Sequence, residues 1–331
     1  MTRVLVTGAG GYVGGAIAAL LVRKGFSVRS YSRGEYESLA RLGVEQVRGD
    51  LRDEAALKLA CRDCDGVFHV AARVGMWGPL REFEEINVRG TGNVIAACRA
   101  ARVGRLVFTS SPSVVFNGGD VEGWNEKAPF PVNFDCYYSR TKAEAERLVR
   151  AANAPGLMTV AIRPHLVWGP GHNHIVSRIV EQGRRGKLAR IGGFNKLVDT
   201  TYIDDAAAAH LLAFEKLVPG SPVCGKAYFI SQGEPWPVWD MTDGILAAAG
   251  LPPVKKRVPY GLAMSAASAG ELVWRALRRR DEPRLTRFVV KQLCTAHWFD
   301  ITAARRDLGF TPSVSVGRGL ESLKEWFKAT L

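Results

Sequence analysis

The sequence lacks the features that mark membrane-spanning and exported proteins. No apolar run approaches the roughly 20 residues of a transmembrane helix. The first residues lead directly into RVLVTGAGG, without a basic region followed by a signal-like apolar segment, so we expect a cytoplasmic protein. Acidic residues are also outnumbered. The chain has 32 Asp and Glu and 45 Lys and Arg, which gives a formal net charge of +13.

This excess of positive charge does not by itself indicate nucleic-acid binding. Such binding requires basic residues concentrated on one element of a recognisable fold, and most arginines here are spread along the chain. The exception is RALRRRDEPRLTR at 275–287, which could contact anionic lipid or an acidic partner such as another enzyme of an assembly. A solvated helix face is the simpler interpretation. We expect no nucleic-acid partner.

Cysteine is scarce and scattered, with six in 331 residues, which suits reduced thiols. Cys61 and Cys64 form an isolated CRDC pair, and without a second pair a zinc site is not expected. The HNH at 172–174 is equally isolated and is interpreted as part of a loop. We therefore predict no metal.

The sequence does contain a clear β–α–β unit at its start. RVLVTG (3–8) predicts a strand, AIAALLVRKG (16–25) a helix, and SVRSYSR (27–33) a second strand. The glycines between strand and helix are Gly8, Gly11 and Gly14. The first allows a tight turn, the second lets backbone approach a pyrophosphate, and the third lets helix and strand pack closely. This combination predicts a dinucleotide-binding turn.

Strands and helices continue to alternate, which predicts an α/β fold with a Rossmann-type doubly wound parallel sheet. Further strands are expected at 43–50, 66–72, 105–111, 158–164 and 226–231, and helices at 54–63, 82–101 and 137–152. The later chain is proline-punctuated and predicts a smaller, mostly helical substrate lid. The predicted domains are 1–170, with 198–231 returning to the sheet, and a substrate domain from 171–197 and 232–331.

The stretch CYYSRTKAEAE at 136–146 raises the question of which tyrosine does chemistry. On a helix Tyr138 and Lys142, four residues apart, share a face, whereas Tyr137 does not share it with Lys142. A lysine ammonium stabilises a neighbouring phenolate, so we expect the pKa of Tyr138 to fall toward neutrality. The alternative is an ordinary exposed pair. A phenol held this way would be a general acid for carbonyl reduction.

Several motifs together resemble the extended short-chain dehydrogenase/reductase family, and within it the 3β-hydroxysteroid dehydrogenase branch. They are VTGAGGYVG, GDL (49–51), FHVAA (68–72), NVRGTGNV (87–94), FTSSPSV (108–114), Tyr138-x-x-x-Lys142, RPHLVWGPG, TYIDDAA, AYFISQGEP and LCTAHWFD. The resemblance spans nearly the whole chain. It implies an NAD(P)-dependent oxidoreductase acting between CH–OH and C=O.

By resemblance, Tyr138 donates the proton to the substrate carbonyl, and Lys142 lowers its pKa and bonds the nicotinamide ribose. Ser111 orients the substrate, with Ser110 as the near alternative, and Asn87 either relays protons through water or caps backbone. The cofactor contacts are expected at Gly8, Gly11, Tyr12, Val13, Gly14, Ser32, Arg33, Asp50, Leu51, Ala71, Ala72, Ser110, Tyr138, Lys142, Pro164 and Val167.

The end of the second strand indicates which dinucleotide is preferred. Folds that prefer NAD carry Asp or Glu there, to bond the ribose 2′-hydroxyl. Here Ser32 and Arg33 stand in that place, and both can bond a 2′-phosphate. NADP(H) is therefore the predicted cofactor, with NAD(H) as the alternative.

The resemblance implies reduction of the 3-keto group of a lipid-like 2-alkyl β-keto acid, as in olefin biosynthesis. An apolar pocket is expected from segment 258–277 with Met76, Trp77, Trp168 and Trp274, although ordinary packing is the alternative. Other possibilities are a sterol or sterol-carboxylate 3β-dehydrogenase, a nucleotide-sugar epimerase or reductase, and a non-catalytic dinucleotide sensor. A homodimer through the helices at 82–101 and 137–152 is implied by resemblance only.

Overall fold

The structure is a computed structural model that describes residues 1–171 and 174–330, so the first two residues of the HNH sequence lie outside the described residues. Its strands are β1 Arg3–Thr7, β2 Ser27–Ser32, β3 Glu45–Arg48, β4 Gly66–His69, β5 Arg105–Thr109, β6 Val121–Trp124, β7 Met158–Pro164, β8 Val167–Trp168, β9 Arg190–Ile191, β10 Leu197–Val198, β11 Thr201–Tyr202, β12 Ala227–Ile230, β13 Trp236–Pro237, β14 Arg257–Val258 and β15 His297–Phe299.

The helices alternate with these strands in the first half of the chain and dominate the second half. They are α1 Tyr12–Arg23, α2 Glu37–Arg41, α3 Glu54–Ala60, α4 Leu80–Phe83, α5 Gly90–Ala100, α6 Tyr137–Ala151, α7 His174–Arg184, α8 Ile203–Lys216, α9 Val238–Ala248, α10 Tyr260–Ala276, α11 Arg287–Cys294 and α12 Val316–Thr330. Among the residues described, no helix is both long and apolar enough to cross a membrane.

Seven strands form one parallel sheet in the order β12-β7-β5-β4-β1-β2-β3. One face packs against α1 and α8 through a core that includes Val4, Val6 and Phe214. The other face packs against α3, α5 and α6 around Leu5, Val67 and Leu106. The carboxyl ends of parallel strands therefore meet at one edge, as the doubly wound fold requires. The predicted fold class is confirmed.

A second layer lies beyond this edge, and it contains short strands beside the predicted helices. It contains a four-stranded sheet in the order β13-β10-β15-β6 and the two-strand pairs β11-β8 and β14-β9. Most of these strands are only two or three residues long, too short for an alternating pattern to reveal them. The segment around β12 pairs with β7 at the sheet edge, while the division of the chain into domains stays a prediction.

The predicted helix at 82–101 is continuous but irregular. A π-helical segment, Glu84–Arg89, joins α4 to α5. π-Helical turns carry one extra residue in the hydrogen-bonded ring and occur frequently at functional sites. The buried residue of this segment is Asn87, one of the predicted site residues.

Candidate active site

The glycine-rich turn between β1 and α1 has the geometry of a phosphate cradle. Gly8 has a φ of +72°, and a Cβ there would come within 2.8 Å of the Ala71 backbone at the end of β4. A Cβ on Gly14 would meet the Gly8 carbonyl oxygen at 2.3 Å, so helix and strand touch as predicted. Gly11 begins the helix without a side chain to cap it, which leaves first-turn amides for a phosphate.

The adenosine end of the predicted cofactor site lies at the ends of β2 and β3. The Ser32 hydroxyl is buried and has no hydrogen-bond partner among the described residues. Arg33 follows it and is exposed, and Arg48, paired in register with Ser32, donates from Nε to the Arg33 carbonyl at 3.0 Å. An orphaned hydroxyl on a strand end that also carries Arg33 and neighbours Arg48 fits the ribose and phosphate of a dinucleotide.

Asp50 and Leu51 follow β3 but face different surroundings. The Asp50 carboxylate accepts from Arg52 at 2.9 and 2.8 Å, and this guanidinium holds the pKa of Asp50 below its usual range. Leu51 is buried in the sheet core, and its carbonyl accepts from Asn93 Nδ2 at 2.8 Å. Asp50 therefore lies near Arg33, whose charge also lowers the pKa of Asp50. Leu51, by contrast, packs in the core.

Tyr138 and Ser111 are brought together at the ends of α6 and β5. Ser111 caps a 3₁₀ turn, Pro112–Val114, where its hydroxyl accepts from the Ser113 amide at 3.2 Å, and it lies close enough to the Tyr138 hydroxyl to lower the pKa of that phenol. Burial raises the pKa of Tyr138 to about 12, and the bond to Ser111 only partly offsets it. The prediction of a lowered Tyr138 pKa is wrong, because desolvation outweighs the available stabilisation of the phenolate.

Lys142 does share the α6 helix with Tyr138, but its ammonium is held elsewhere. Its Nζ donates to the Thr109 carbonyl oxygen at 2.5 Å and lies 4.0 Å from the centre of the Phe108 ring. Burial lowers the pKa of Lys142 to about 7, while the Glu146 carboxylate acts in the opposite direction. A lysine that is partly neutral at pH 7 and bonded to main chain does not lower the Tyr138 pKa.

Ser110 points away from Tyr138, into a buried ionic network. Its hydroxyl donates to Glu146 Oε2 at 2.6 Å. Arg163, on β7, donates to the same carboxylate from Nε at 2.9 Å and from a terminal nitrogen at 2.6 Å. The side chains of both ionic partners are almost fully buried, at 1% and 0% exposed. Of the two serines, Ser111 is therefore the one beside Tyr138, and Ser110 contacts α6 through Glu146.

Asn87 joins the loop after β4 to helix α6. Its Oδ1 accepts from the Arg73 amide at 2.7 Å, and its Nδ2 donates to the Arg73 carbonyl and to the Thr141 hydroxyl. The residue is 2% exposed. All of these bonds join the segment after β4 to α6, which matches the backbone-capping alternative. They do not include Lys142.

The remaining predicted residues surround the loop after β7. Tyr12, the first residue of α1, donates its hydroxyl to the Pro170 carbonyl at 3.1 Å. Val13 and Val167 lie partly buried against a core cluster of the second layer. Pro164 ends β7 at the same edge, and Ala72 lies just after β4. The structure therefore brings Tyr12, Val13, Pro164 and Val167 to the sheet edge, although the contacts they make there are with protein.

An apolar cluster surrounds Tyr138. Tyr138 and Met76 pack partly buried against a core that includes Val114, Phe116 and Phe288. Trp168 is not part of it: its ring is buried in the second layer and donates to Thr200 at 2.9 Å. Most of the 258–277 segment also lies apart, since α10 is buried only at Ala263, Ala267 and Glu271. Of the predicted pocket residues, Met76 therefore packs beside Tyr138, whereas Trp168 and most of 258–277 do not.

Four contributors were not identified from sequence. Thr109 holds Lys142 through a backbone oxygen, which leaves no side-chain signal. Glu146 and Arg163 are a charged pair in the core and look like ordinary surface residues in the sequence. Arg48 had a usable signal, because it directly precedes the Gly-Asp that ends the third strand.

With this geometry established, comparisons with known proteins place the chain. The model of the 3-beta hydroxysteroid dehydrogenase/isomerase family matches residues 5–259. The chain belongs to this family. It is an NAD(P)-dependent oxidoreductase of the extended short-chain dehydrogenase/reductase type. The resemblance seen in the motifs is confirmed.

The proteins that this chain resembles have names that indicate different activities. The chain is 47% identical over 324 residues to a 2-alkyl-3-oxoalkanoate reductase of Stenotrophomonas maltophilia, covering 97% of this chain and 98% of that protein. A 3-beta-hydroxysteroid dehydrogenase of Mycolicibacterium neoaurum is 33% identical and covers 94% of this chain and 87% of its own length. Among solved structures, MoeE5 in complex with UDP-glucose and NAD superimposes with a TM-score of 0.76 at 26% identity, covering 99% of both chains.

Proposed function

We propose that the protein reduces the 3-keto group of a 2-alkyl-3-oxoalkanoate to the β-hydroxy acid, with NADPH as the preferred reductant. The proposal is supported by the near full-length likeness to reductases of that name in Stenotrophomonas maltophilia and Shewanella oneidensis, at 47% and 46% identity. The observation that carries it is the Tyr138–Ser111 pair inside an apolar cluster at the carboxyl edge of the sheet.

Side chains of this protein supply the proton that the reduced carbonyl oxygen needs. A nicotinamide dinucleotide, when bound, supplies the hydride. Tyr138, whose pKa lies at about 12, stays protonated at neutral pH and gives its proton to the substrate carbonyl oxygen. Ser111 bonds the same phenol and orients that oxygen. Lys142, with a pKa of about 7, can hold or release a proton near physiological pH.

The surroundings of Tyr138 favour alkyl chains over a nucleotide sugar. Met76, Val114 and Phe288 offer carbon surface next to the phenol. Each methylene buried there contributes about 0.8 kcal/mol, whereas a sugar hydroxyl without a partner costs free energy. The same apolar surroundings would accept a sterol, and the relatives at 33% identity include 3-beta-hydroxysteroid dehydrogenases. Oxidation of a 3β-hydroxysteroid is therefore the second candidate.

The charge at the adenosine end favours NADPH. Arg33 and Arg48 lie next to the unbonded Ser32 hydroxyl, and a 2′-phosphate would meet all three. Solved relatives in complex with NAD show that the fold also accepts the unphosphorylated dinucleotide. Because cells keep NADPH largely reduced, this preference also favours reduction over sterol oxidation.

The deciding experiment compares turnover of a 2-alkyl-3-oxoalkanoate, a 3β-hydroxysteroid and a UDP-sugar, each with both dinucleotides. We expect the β-keto acid with NADPH to give the highest kcat/KM. Faster turnover of the steroid with NAD would replace the proposal with the second candidate. Dinucleotide binding with no turnover of any of the three would favour a sensor.

The proposed homodimer would use α5 and α6, with Leu148 40% exposed on the latter. A cytoplasmic location, a role in olefin biosynthesis and a place in a multienzyme assembly also stay predictions.

A further inference from the structure

α10 is attached to the protein by one narrow stripe and leaves an apolar face outside. Its buried residues are Ala263, Ala267 and Glu271, spaced four apart along a single side. Five of the fourteen large apolar side chains exposed among the described residues lie within 260–277. They are Tyr260, Leu262, Leu272, Val273 and Leu277, at 44%, 62%, 68%, 47% and 63% exposure. Single exposed apolar residues are ordinary, whereas such a concentration marks an interaction site.

The exposed side of α10 carries no charged residue from Tyr260 to Trp274. From Leu262 to Leu277 the helix rises roughly 22 Å, at about 1.5 Å per residue. The large side chains are separated by small exposed ones, including Ala266, Ala269 and Ala276. The one acidic residue of the helix, Glu271, is buried and accepts from the Arg287 amide and Nε. No charge therefore interrupts the apolar face until Arg275.

Basic residues flank this face at both ends. Lys255, Lys256 and Arg257 precede α10 and are exposed, and a run of exposed arginines follows from 275 to 284. Between residues 254 and 287 nine Lys and Arg stand against three Asp and Glu. All three acidic residues are paired with arginines: Glu282 with Arg178, Asp281 with Arg279, and Glu271 with Arg287. The surface therefore remains strongly positive on both sides of its apolar centre.

We propose that α10 and its basic flanks form a docking surface for an anionic lipid bilayer. An apolar helix face buries among acyl chains while long basic side chains at its ends reach the anionic headgroups. Each basic residue near such a surface contributes about fivefold in partitioning. A protein partner would match this pattern only with acidic groups at both ends of an apolar groove. The helix lies on the membrane, because its buried stripe stays packed on the protein.

The docking surface reaches the loop that also borders the active site. Trp77 donates from its ring nitrogen to the Arg279 carbonyl at 3.0 Å, and the Met76 amide contacts Glu282 at 3.3 Å. Met76 packs in the same cluster as Tyr138. A lipid-like substrate could therefore pass from the bilayer to the phenol along one loop. This route rests on the proposed function, whereas membrane docking does not.

The test is flotation of the full chain with vesicles of phosphatidylserine and phosphatidylcholine, compared with vesicles of phosphatidylcholine alone. We expect binding to the anionic vesicles that weakens as salt is raised. Leu272→Gln with Leu277→Gln should weaken it by about 10-fold or more, because buried methylenes are lost. Lys255→Glu with Arg278→Glu should weaken it similarly.

Matched variants on other surfaces serve as controls. Leu59→Gln with Val132→Gln replaces two exposed apolar side chains far from α10 in sequence, and Lys24→Glu with Arg62→Glu makes the same charge change. Both should bind vesicles as the wild type does. Wild-type protein that stays unbound, or Leu272→Gln with Leu277→Gln that binds fully, overturns the proposal.

Two further measurements separate the alternatives. If Leu272→Gln with Leu277→Gln converts a dimer to a monomer in light scattering and vesicles bind nothing, the face is a contact between copies and the proposal fails. Dinucleotide binding and turnover of a short, water-soluble β-keto acid should persist in this variant. Vesicle binding without any such turnover would leave docking intact and overturn only the proposed reaction.

Discussion

Strands in the seven-stranded sheet run for four to seven residues, whereas those in the four-stranded sheet run for two to four. In the first region the main chain positions the site, because the strand ends and the glycine turn meet at one edge. In the second region buried carboxylates hold the short strands and loops together. Asp199 accepts from His165 and from the Phe299 amide, and Asp205 accepts from Ser313. Dinucleotide binding should therefore depend on backbone geometry, and substrate handling on individual side chains.

The sharpest test of this division is Tyr138→Phe. The variant lacks the hydroxyl that would protonate the substrate, so kcat should fall by about 100- to 10,000-fold. Its dinucleotide affinity should stay close to that of the wild type. Steady-state kinetics and fluorescence titration measure the two effects. Tyr137→Phe, which alters the half-exposed neighbour, is the matched control and should be near wild type. An equal loss in both variants would contradict the assignment.

Ser32→Asp combined with Arg33→Ala should instead change which dinucleotide the protein binds. A charge-assisted bond to phosphate contributes about 1.5–3 kcal/mol, so NADPH affinity should fall about 10- to 150-fold and preference should turn toward NADH. Arg62→Ala removes an exposed arginine elsewhere and should leave both affinities unchanged. If the wild type binds NADH as tightly as NADPH at low salt, the assignment of Arg33 fails.

Backbone dependence is tested by Gly14→Ala. The added Cβ would lie 2.3 Å from the Gly8 carbonyl oxygen, which must move. We expect a loss of about 1–3 kcal/mol in the free energy of unfolding, measured by urea denaturation, together with weaker dinucleotide binding. Gly92→Ala, on α5, meets nothing within 4 Å and should be neutral or stabilising. A Gly14→Ala variant as stable as Gly92→Ala would show that the turn can relax.

The buried ammonium of Lys142 gives a prediction for how stability depends on pH. Its pKa is about 7 when folded and about 10.4 when unfolded, so the unfolded chain binds more protons between these values. Stability should therefore rise as pH rises from about 7 toward 10. Urea denaturation of Lys142→Met at pH 7 and 9 should lack this increment, while exposed Lys58→Met should keep it. Parallel curves for wild type and Lys142→Met would refute the burial of an ionisable amine.

The smallest effect expected is on substrate length. If alkyl chains pack beside Met76 and Phe288, kcat/KM should climb by up to about fourfold per methylene, from about 0.8 kcal/mol each. A homologous series of β-keto acids measures the slope, and NADPH affinity without substrate should be the same throughout. A flat series would remove the apolar cluster from substrate binding.

The part of the molecule that could be predicted from sequence is the part set by periodicity and backbone. The seven strands of the large sheet, the glycine turn and the shared helix of Tyr138 and Lys142 all follow from local pattern. The pKa of Tyr138 could not be predicted, because it depends on burial by residues distant in sequence. The bond from Lys142 to the Thr109 carbonyl and the pairing of Glu146 with Arg163 likewise involve tertiary neighbours.

The π-helical segment Glu84–Arg89 has a consequence for how the chain can change length. A π turn holds one residue more than an α turn, so deleting one residue there would let the ordinary helical ring close while the turns on either side stay in line. The residues within the segment would move, and Asn87 would no longer be held where it bonds both Arg73 and Thr141. A deletion at this point would therefore keep the helix and remove the link between the loop after β4 and α6.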